Sequence, residues 1–314
     1  MAKHAKIVSL IASSTEIVCA LGFRNQIIGR SHECDFPESI KTLPQCTSPK
    51  FPTDGTSYQI DERIKAIVQE GLSVYRVDNA VLEKLQPTHI FTQDQCEVCA
   101  VSLKDVEEAV CEITSSNPKV VSLKTDCLED LFRDIKRVAK SLDAETRGET
   151  LVAELKNRIH KITSMCRQAR EPEASNKIEA RIACVEWIDP LMSAGNWMPE
   201  LIALAGGRSL FGETGKHSPW MTWEELIAAD PDILFVSPCG FDIKRTLEEM
   251  HVLEKNPAWK KLKAVRDNRV VIADGNQHFH RPGPRLVESL EILAEIFHGL
   301  HFGHKSRGWI EYKS

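Results

Sequence analysis

At 314 residues, with 42% hydrophobic and 27% charged residues, the chain is long enough for two full-sized cores and has a globular make-up. A net charge of −5 provides no basic face, which argues against a nucleic acid partner. No run reaches the roughly 18 apolar residues of a membrane span, so no transmembrane segment is expected.

Met1-Ala2-Lys3-His4-Ala5-Lys6 leads straight into a first strand-like run, without the apolar stretch and small-residue cleavage site of a secretory signal. The ten cysteines are scattered rather than arranged as a compact disulfide framework, which suits a reducing compartment. The expected location is therefore cytoplasmic, with a periplasmic one only if a signal has been removed.

In chain order, strands are expected at Ile7–Ile11, Ile27–Arg30, His89–Thr92 and Lys119–Leu123, alternating with helices. Such alternation predicts a mainly parallel sheet covered on both faces. Ser13-Ser14-Thr15 reads as a set of hydroxyl N-caps for a helix over Glu16–Leu21 that stops at Gly22. Ser102 with Asp105 reads as the start of a helix over Leu103–Ile113. Two amphipathic helices follow, Leu128–Ser141 and Ala144–Arg170, the second with Leu151, Leu155, Ile159, Ile162 and Cys166 on one stripe. The polar stretch from Glu171 to Lys177 marks a boundary.

The pattern then repeats. Arg181-Ile182-Ala183-Cys184-Val185 and a helix ending at Gly206-Gly207 echo the first strand–helix unit. Leu85-Gln86-Pro87-Thr88-His89-Ile90-Phe91 is echoed by Ala229-Asp230-Pro231-Asp232-Ile233-Leu234-Phe235, and Asn117–Val121 by Asp267–Val271. The expected fold is α/β: two Rossmann-like lobes with mainly parallel sheets joined by a long helix. The expected domains are an N-terminal lobe over 1–125, a helical linker over 126–177, a C-terminal lobe over 178–298 and an unassigned tail over 299–314. Two lobes imply a cleft, where ligands commonly bind.

Ligands of open α/β sheets sit beyond the carboxyl ends of the strands. Those ends carry Ser14, Thr15, His32, Gln93, Asp94, Trp197, Phe241, His278 and Phe279, the expected cleft lining. Aromatic side chains there suit a bulky, partly apolar ligand. Cys96-x-x-Cys99 lies between a strand and a helix, where it reads as packed thiols, a metal or cobalt-complex contact, or a redox pair. His32, Cys34 and Asp35 could complete a zinc or iron set with it. In strand geometry His278 and His280 would face one side, making His280 a third metal candidate with Cys96 and Cys99. His217 is a further imidazole, beside Ser218 and Thr222 as cap candidates for a helix over Trp223–Ala228. No nucleophile elbow, phosphate loop, His-Glu-x-x-His or dinucleotide fingerprint is present, so catalysis is not the leading expectation.

Several of these segments resemble a known family. Ser13-Ser14-Thr15-Glu16-Ile17, Gly29-Arg30-Ser31-His32-Glu33-Cys34-Asp35-Phe36-Pro37, Gly195-Asn196-Trp197-Met198-Pro199-Glu200-Leu201 and Arg281-Pro282-Gly283-Pro284-Arg285 look like the cobalamin-binding periplasmic proteins. The wider group is the helical-backbone (class III) substrate-binding proteins for metal complexes. The resemblance runs from about Lys6 to His298. It implies non-catalytic binding of cobalamin or a related corrinoid or metal complex between the lobes, with a transporter or acceptor protein as partner. Two readings stand beside it: an ABC-transporter substrate-binding component, and a cytosolic metal-dependent or thiol enzyme using the same cleft. The missing export signal and the Thr92–Ser102 loop depart from the exported members.

Overall fold

The computed structural model describes residues 5–70, 74–93, 116–170 and 179–313. They fall into two units. The first holds residues 5–55, 59–125 and 129–154; the second holds Leu155 onward, with Thr56–Tyr58 and Asp126–Leu128.

In the first unit the chain runs β1 (Ile7–Ser9), α1 (Ala12–Ala20), β2 (Ile27–Arg30), β3 (Thr47–Pro49), α2 (Ser57–Gln69), β4 (Tyr75–Val77), α3 (Asn79–Leu85), β5 (His89–Gln93), β6 (Lys119–Leu123), α4 (Leu128–Ser141) and α5 (Glu145–Arg170). Strands β2-β1-β5-β6 form a parallel sheet, while β3 and β4 make a separate antiparallel pair. Val8, Leu10, Cys46, Val74, Leu82 and Ile90 pack one of its cores.

The second unit runs β7 (Ala180–Val185), α6 (Met198–Leu204), β8 (Gly207–Ser209), α7 (Trp223–Ala229), β9 (Ile233–Val236), α8 (Ile243–Glu254), β10 (Val270–Ala273), α9 (Leu286–His298) and β11 (Trp309–Tyr312). Its sheet order is β8-β7-β9-β10-β11, parallel except for β11. The parallel part repeats the order of the first sheet. All four residues of β9 and of β10 are buried, as expected of strands covered on both faces.

The repeat extends to details. Gln86 and Asp230 both end their helices in the left-handed region, at φ 49° and 38°, and a proline follows each. Thr88 Oγ1 accepts the N–H of Lys6 at 2.9 Å, and Asp232 Oδ2 accepts that of Arg181 at 2.8 Å, so each side chain ties the start of a neighbouring strand. Both first helices stop at glycines with φ +83°, Gly22 and Gly206. At Gly22, the N–H of Phe23 reaches Val18 O and that of Gly22 reaches Cys19 O, a Schellman closure.

Two expectations need correction. Helix α1 starts at Ala12, not after the hydroxyls: Ile11, at φ −147° and ψ 145°, holds the cap position with no side-chain cap. Ser14 and Thr15 lie inside the first turn and bond backward instead, Ser14 Oγ to Ile11 O at 3.0 Å. The segment 126–177 is not a separate linker. Asp134 on α4 accepts Lys124 N and Thr125 Oγ1, and Arg147 on α5 donates to Leu21 O, all in the first unit. Arg158, one turn past the unit boundary, forms a two-pronged pair with Glu291 on α9 in the second.

Residues 299–313, unassigned from the sequence, belong to the second unit. Trp309–Tyr312 pairs antiparallel with β10, and Trp309 is buried. Glu295 Oε1 accepts the consecutive N–H groups of Phe302, Gly303 and His304 at 2.7, 2.7 and 3.1 Å, while its Oε2 accepts the Trp309 indole at 2.6 Å. The sequence carries no periodic signal for this, because one carboxylate on a helix organises a loop and a strand of irregular spacing.

Candidate functional site

In the first unit the carboxyl ends of β1, β2, β5 and β6 present Leu10–Thr15, Ser31–Asp35, Gln93 and Lys124–Thr125. Ser14 and Thr15 are fully buried and belong to a hydroxyl cluster: Ser9 Oγ lies 2.6 Å from Ser14 Oγ and 2.7 Å from Thr15 Oγ1, which is 3.1 Å from Cys34 Sγ. They shape the turn from inside rather than lining a surface. Gln93 closes β5 and is also buried. Asp94, Cys96 and Cys99, with the helix expected at Leu103–Ile113, lie outside the described residues.

The loop after β2 is built around Arg30. Its Nη1 donates to Ser31 O at 3.0 Å, Cys34 O at 3.2 Å and His32 O at 3.4 Å, and its Nη2 to Lys41 O at 3.2 Å. His32 sits on this loop with its N–H and Nδ1 at 3.1 and 2.8 Å from Thr47 Oγ1. Its ring centroid is 5.0 Å from that of Tyr75, whose hydroxyl donates to Glu33 Oε1 at 3.0 Å. Burial first, and the Arg30 charge second, push the His32 imidazole down to about 4, so it is neutral at physiological pH. Of the first-lobe candidates, His32 is half-buried and best suited to meet a ligand. Sequence reasoning missed Arg30, Thr47 and Tyr75. The signal for Arg30 was a charge at the end of the apolar strand Ile27-Ile28-Gly29.

In the second unit Glu186, after β7, accepts Ser218 Oγ at 2.8 Å, and Ser218 Oγ accepts Gly195 N at 3.1 Å. Ser218 is therefore a loop tie, and the cap of α7 is Thr222, in a complete capping box with Glu225. Phe241 is flanked by Trp187, at 5.4 Å between ring centroids, and by the Arg245 guanidinium, 4.3 Å from its ring centre. Trp220 stands out from the same loop set as the most exposed large apolar side chain among the described residues, at 57%.

The segment His278–His280 does not keep strand geometry. Gly275–Phe279 forms a single π-type turn, capped by Asp274, whose Oδ1 accepts the N–H groups of Asn276 and Gln277. The two imidazoles consequently have separate surroundings. His280 donates from Nε2 to Ser237 O at 2.6 Å, with Nδ1 3.8 Å from Glu186 Oε2. His278 faces Glu288 at 3.7 Å, beside the His304 ring, and burial foremost pushes its imidazole down to about 3. Phe279 is a core residue packed edge-on against Phe235 at 4.9 Å, and its carbonyl accepts the indole N–H of buried Trp197 at 2.9 Å. Trp197 and Phe279 thus brace the turn from within.

Among the described residues no group of three or more His, Cys, Asp or Glu is arranged to hold a metal ion. His280 is committed as above, and His217 Nδ1 lies 3.0 Å from the carbonyl of Ser218. Burial pushes the Cys19 and Cys166 thiols up to about 11 and Cys46 up to about 12, and raises Cys184 further. None of these four is a ready nucleophile.

A family model for periplasmic binding proteins matches residues 7–276. An uncharacterised ABC transporter substrate-binding lipoprotein of Bacillus subtilis is 22% identical over 297 residues, covering 92% of this chain and 79% of its own length. The vitamin B12-binding protein of Vibrio parahaemolyticus is 20% identical over 298 residues, covering 93% and 89%. Among solved structures, a periplasmic haem-binding protein of Pseudomonas aeruginosa superposes with a TM-score of 0.69 at 19% identity, covering 94% and 92%. The periplasmic vitamin B12-binding protein of Vibrio cholerae gives 0.62 at 17% identity, covering 92% and 95%. At such identities the structural likeness shows the fold.

Proposed function

The chain belongs to the periplasmic binding protein family, and from that premise we propose that it binds cobalamin or a related corrinoid, without catalysis, through the carboxyl-edge loops of its sheets. The observation that carries this reading is the similarity, over more than nine tenths of the chain, to proteins named for vitamin B12 binding. The loops support it. They offer half-buried aromatic surface at Trp187, with half-buried amides at Asn196, Asn276 and Gln277. Their charges lean slightly acidic, with Glu33, Asp35, Glu186, Asp189, Asp242 and Asp274 against Lys124, Lys216, Arg245, Arg281 and Arg285. A corrinoid fringed with uncharged amides suits such an edge better than a haem carrying carboxylates.

The test is titration of the purified protein with cyanocobalamin, cobinamide and haem, followed by visible absorbance and calorimetry. One-to-one corrinoid binding at least about tenfold tighter than haem binding is expected. Preferential haem binding, or no corrinoid binding in the micromolar range, overturns the reading.

The reading includes delivery to a partner protein, a transporter or an acceptor, and action in a reducing compartment. Supporting the latter, no disulfide joins any two of the described cysteines. Thiol titration of protein denatured without reductant, directly after isolation from its native host, is expected to recover all ten cysteines as thiols. Recovery of two or more as disulfide, or fractionation with the periplasm, counts against it.

A further inference from the structure

The Arg30 guanidinium is buried, yet no carboxylate pairs with it among the described residues, and its Nε–H has no hydrogen-bond partner. A buried charge balanced only by carbonyl dipoles is costly, and a neutral residue could join a strand to a loop without it. Three of its four acceptors lie within the five-residue loop that carries His32, and the fourth, Lys41 O, pins that loop to the chain beyond. The carbonyl of His32 is one of the three. The opposite side of the residue is fixed by Thr47 through both N–H and Nδ1, and Tyr75 covers the ring. The charged or titratable groups around the imidazole are Arg30, Glu33 and Tyr75, from its own loop and strand and from β4.

We propose that Arg30 is a positioning residue for ligand binding: its guanidinium clamps the loop after β2 so that His32 is held in one orientation for contact with the bound complex. This rests on the corrinoid reading only for the identity of the ligand. A fork of five donors can span several carbonyls at once, whereas lysine supplies the charge as a point and glutamine supplies a donor without charge. The two substitutions therefore separate the clamp from the field.

In the test, the His32 titration is followed by NMR in wild type, Arg30→Gln and Arg30→Lys, alongside cyanocobalamin affinity and thermal stability. Arg30→Gln is expected to raise the His32 titration point while keeping it below the free-imidazole value of about 6.5, because burial persists. Arg30→Lys is expected to leave that point near its wild-type place. Both are expected to weaken cyanocobalamin binding about tenfold or more, since neither rebuilds the four-carbonyl clamp. A His32 titration unchanged in Arg30→Gln overturns the proposal, as does unaltered affinity in both variants. A point at the free-imidazole value with lowered stability means the loop has opened and Arg30 is structural only, which also overturns it. If wild type binds no corrinoid, the functional reading fails, while the His32 titration still decides whether Arg30 sets the state of that imidazole.

Discussion

Replacing Glu295 by alanine should cost about 3–5 kcal/mol of stability, among the largest single-site effects in the chain. Four donors converge on this carboxylate: three successive backbone N–H groups on one oxygen and the Trp309 indole on the other. Alanine leaves all four without their acceptor and removes the anchor that sets the loop before β11. Glutamine does not repair the site. Its amide has one acceptor and one donor end, and donors approach both positions, so one contact becomes donor against donor. Urea unfolding should show a lowered midpoint with an unchanged slope for both variants. A midpoint within error of wild type for Glu295→Ala would show that the loop holds without the carboxylate.

The same site predicts a pH dependence. Burial by itself raises the Glu295 carboxyl, but the indole and the three amides outweigh it and hold it below the usual carboxylate range. A group held low in the folded chain contributes fully above its unfolded value of about 4.3 and loses that contribution as pH falls through the folded value. The stability gap between wild type and Glu295→Gln should therefore be largest near neutrality and shrink on acidification.

Gly275→Ala should be comparably severe, at about 3 kcal/mol or more. A Cβ at Gly275 would collide with the carbonyl oxygen of Pro238 and approach the carbonyl carbons of Pro238 and Ser237 at 2.8 and 3.1 Å. Those atoms cannot yield as a flexible side chain would. Ser237 is bonded through its N–H to Val185 O and through its carbonyl to His280 Nε2, and Pro238 O accepts Phe241 N. The glycine is needed because the π-turn after β10 packs backbone to backbone against the loop after β9. Gly240 is the matched control: it sits at φ +77° with open space around its Cβ position, so Gly240→Ala adds left-handed strain alone, about 1 kcal/mol. If the two alanine variants melt together, steric closure at Gly275 is not what fixes the turn.

Much of the fold could be read from the chain because it rests on local pattern. The helix limits Leu128–Ser141 emerge as expected, and the second long helix differs by one residue at its start. The echo between Leu85–Phe91 and Ala229–Phe235 reflects the same physical event twice: a left-handed stop, a proline, and a side chain tied to the start of a neighbouring, earlier strand. Proline and the short polar side chains announce that event in sequence. The candidate site was far less legible. Thr15, Trp197 and Phe279 read as available at strand ends, but they are buried against Cys34, Phe279 O and Phe235, which lie too far away in sequence for any periodicity to announce them. The π-turn defeated the two-residue alternation assumed for His278 and His280, since it aims them at Glu288 and Ser237. Strand β11 escaped notice because four residues carry little pattern, and their partner strand ends 36 residues earlier, at Ala273.

The separation of the two sheets along the chain has a consequence for biogenesis. Strands β1 to β6 all precede residue 124, and β7 to β11 all follow residue 179, so among the described residues neither sheet borrows a strand from the other. During translation, the first set of strands can pair while the second is still being made. The second sheet has no such freedom. Its β10 edge stays uncovered until Trp309–Tyr312 has been synthesised, long after β7 to β10 have emerged. In that interval an apolar edge strand is open to mispairing, the kind of exposure chaperones guard. Released chains truncated just before Trp309 are thus where aggregation or chaperone capture should be concentrated.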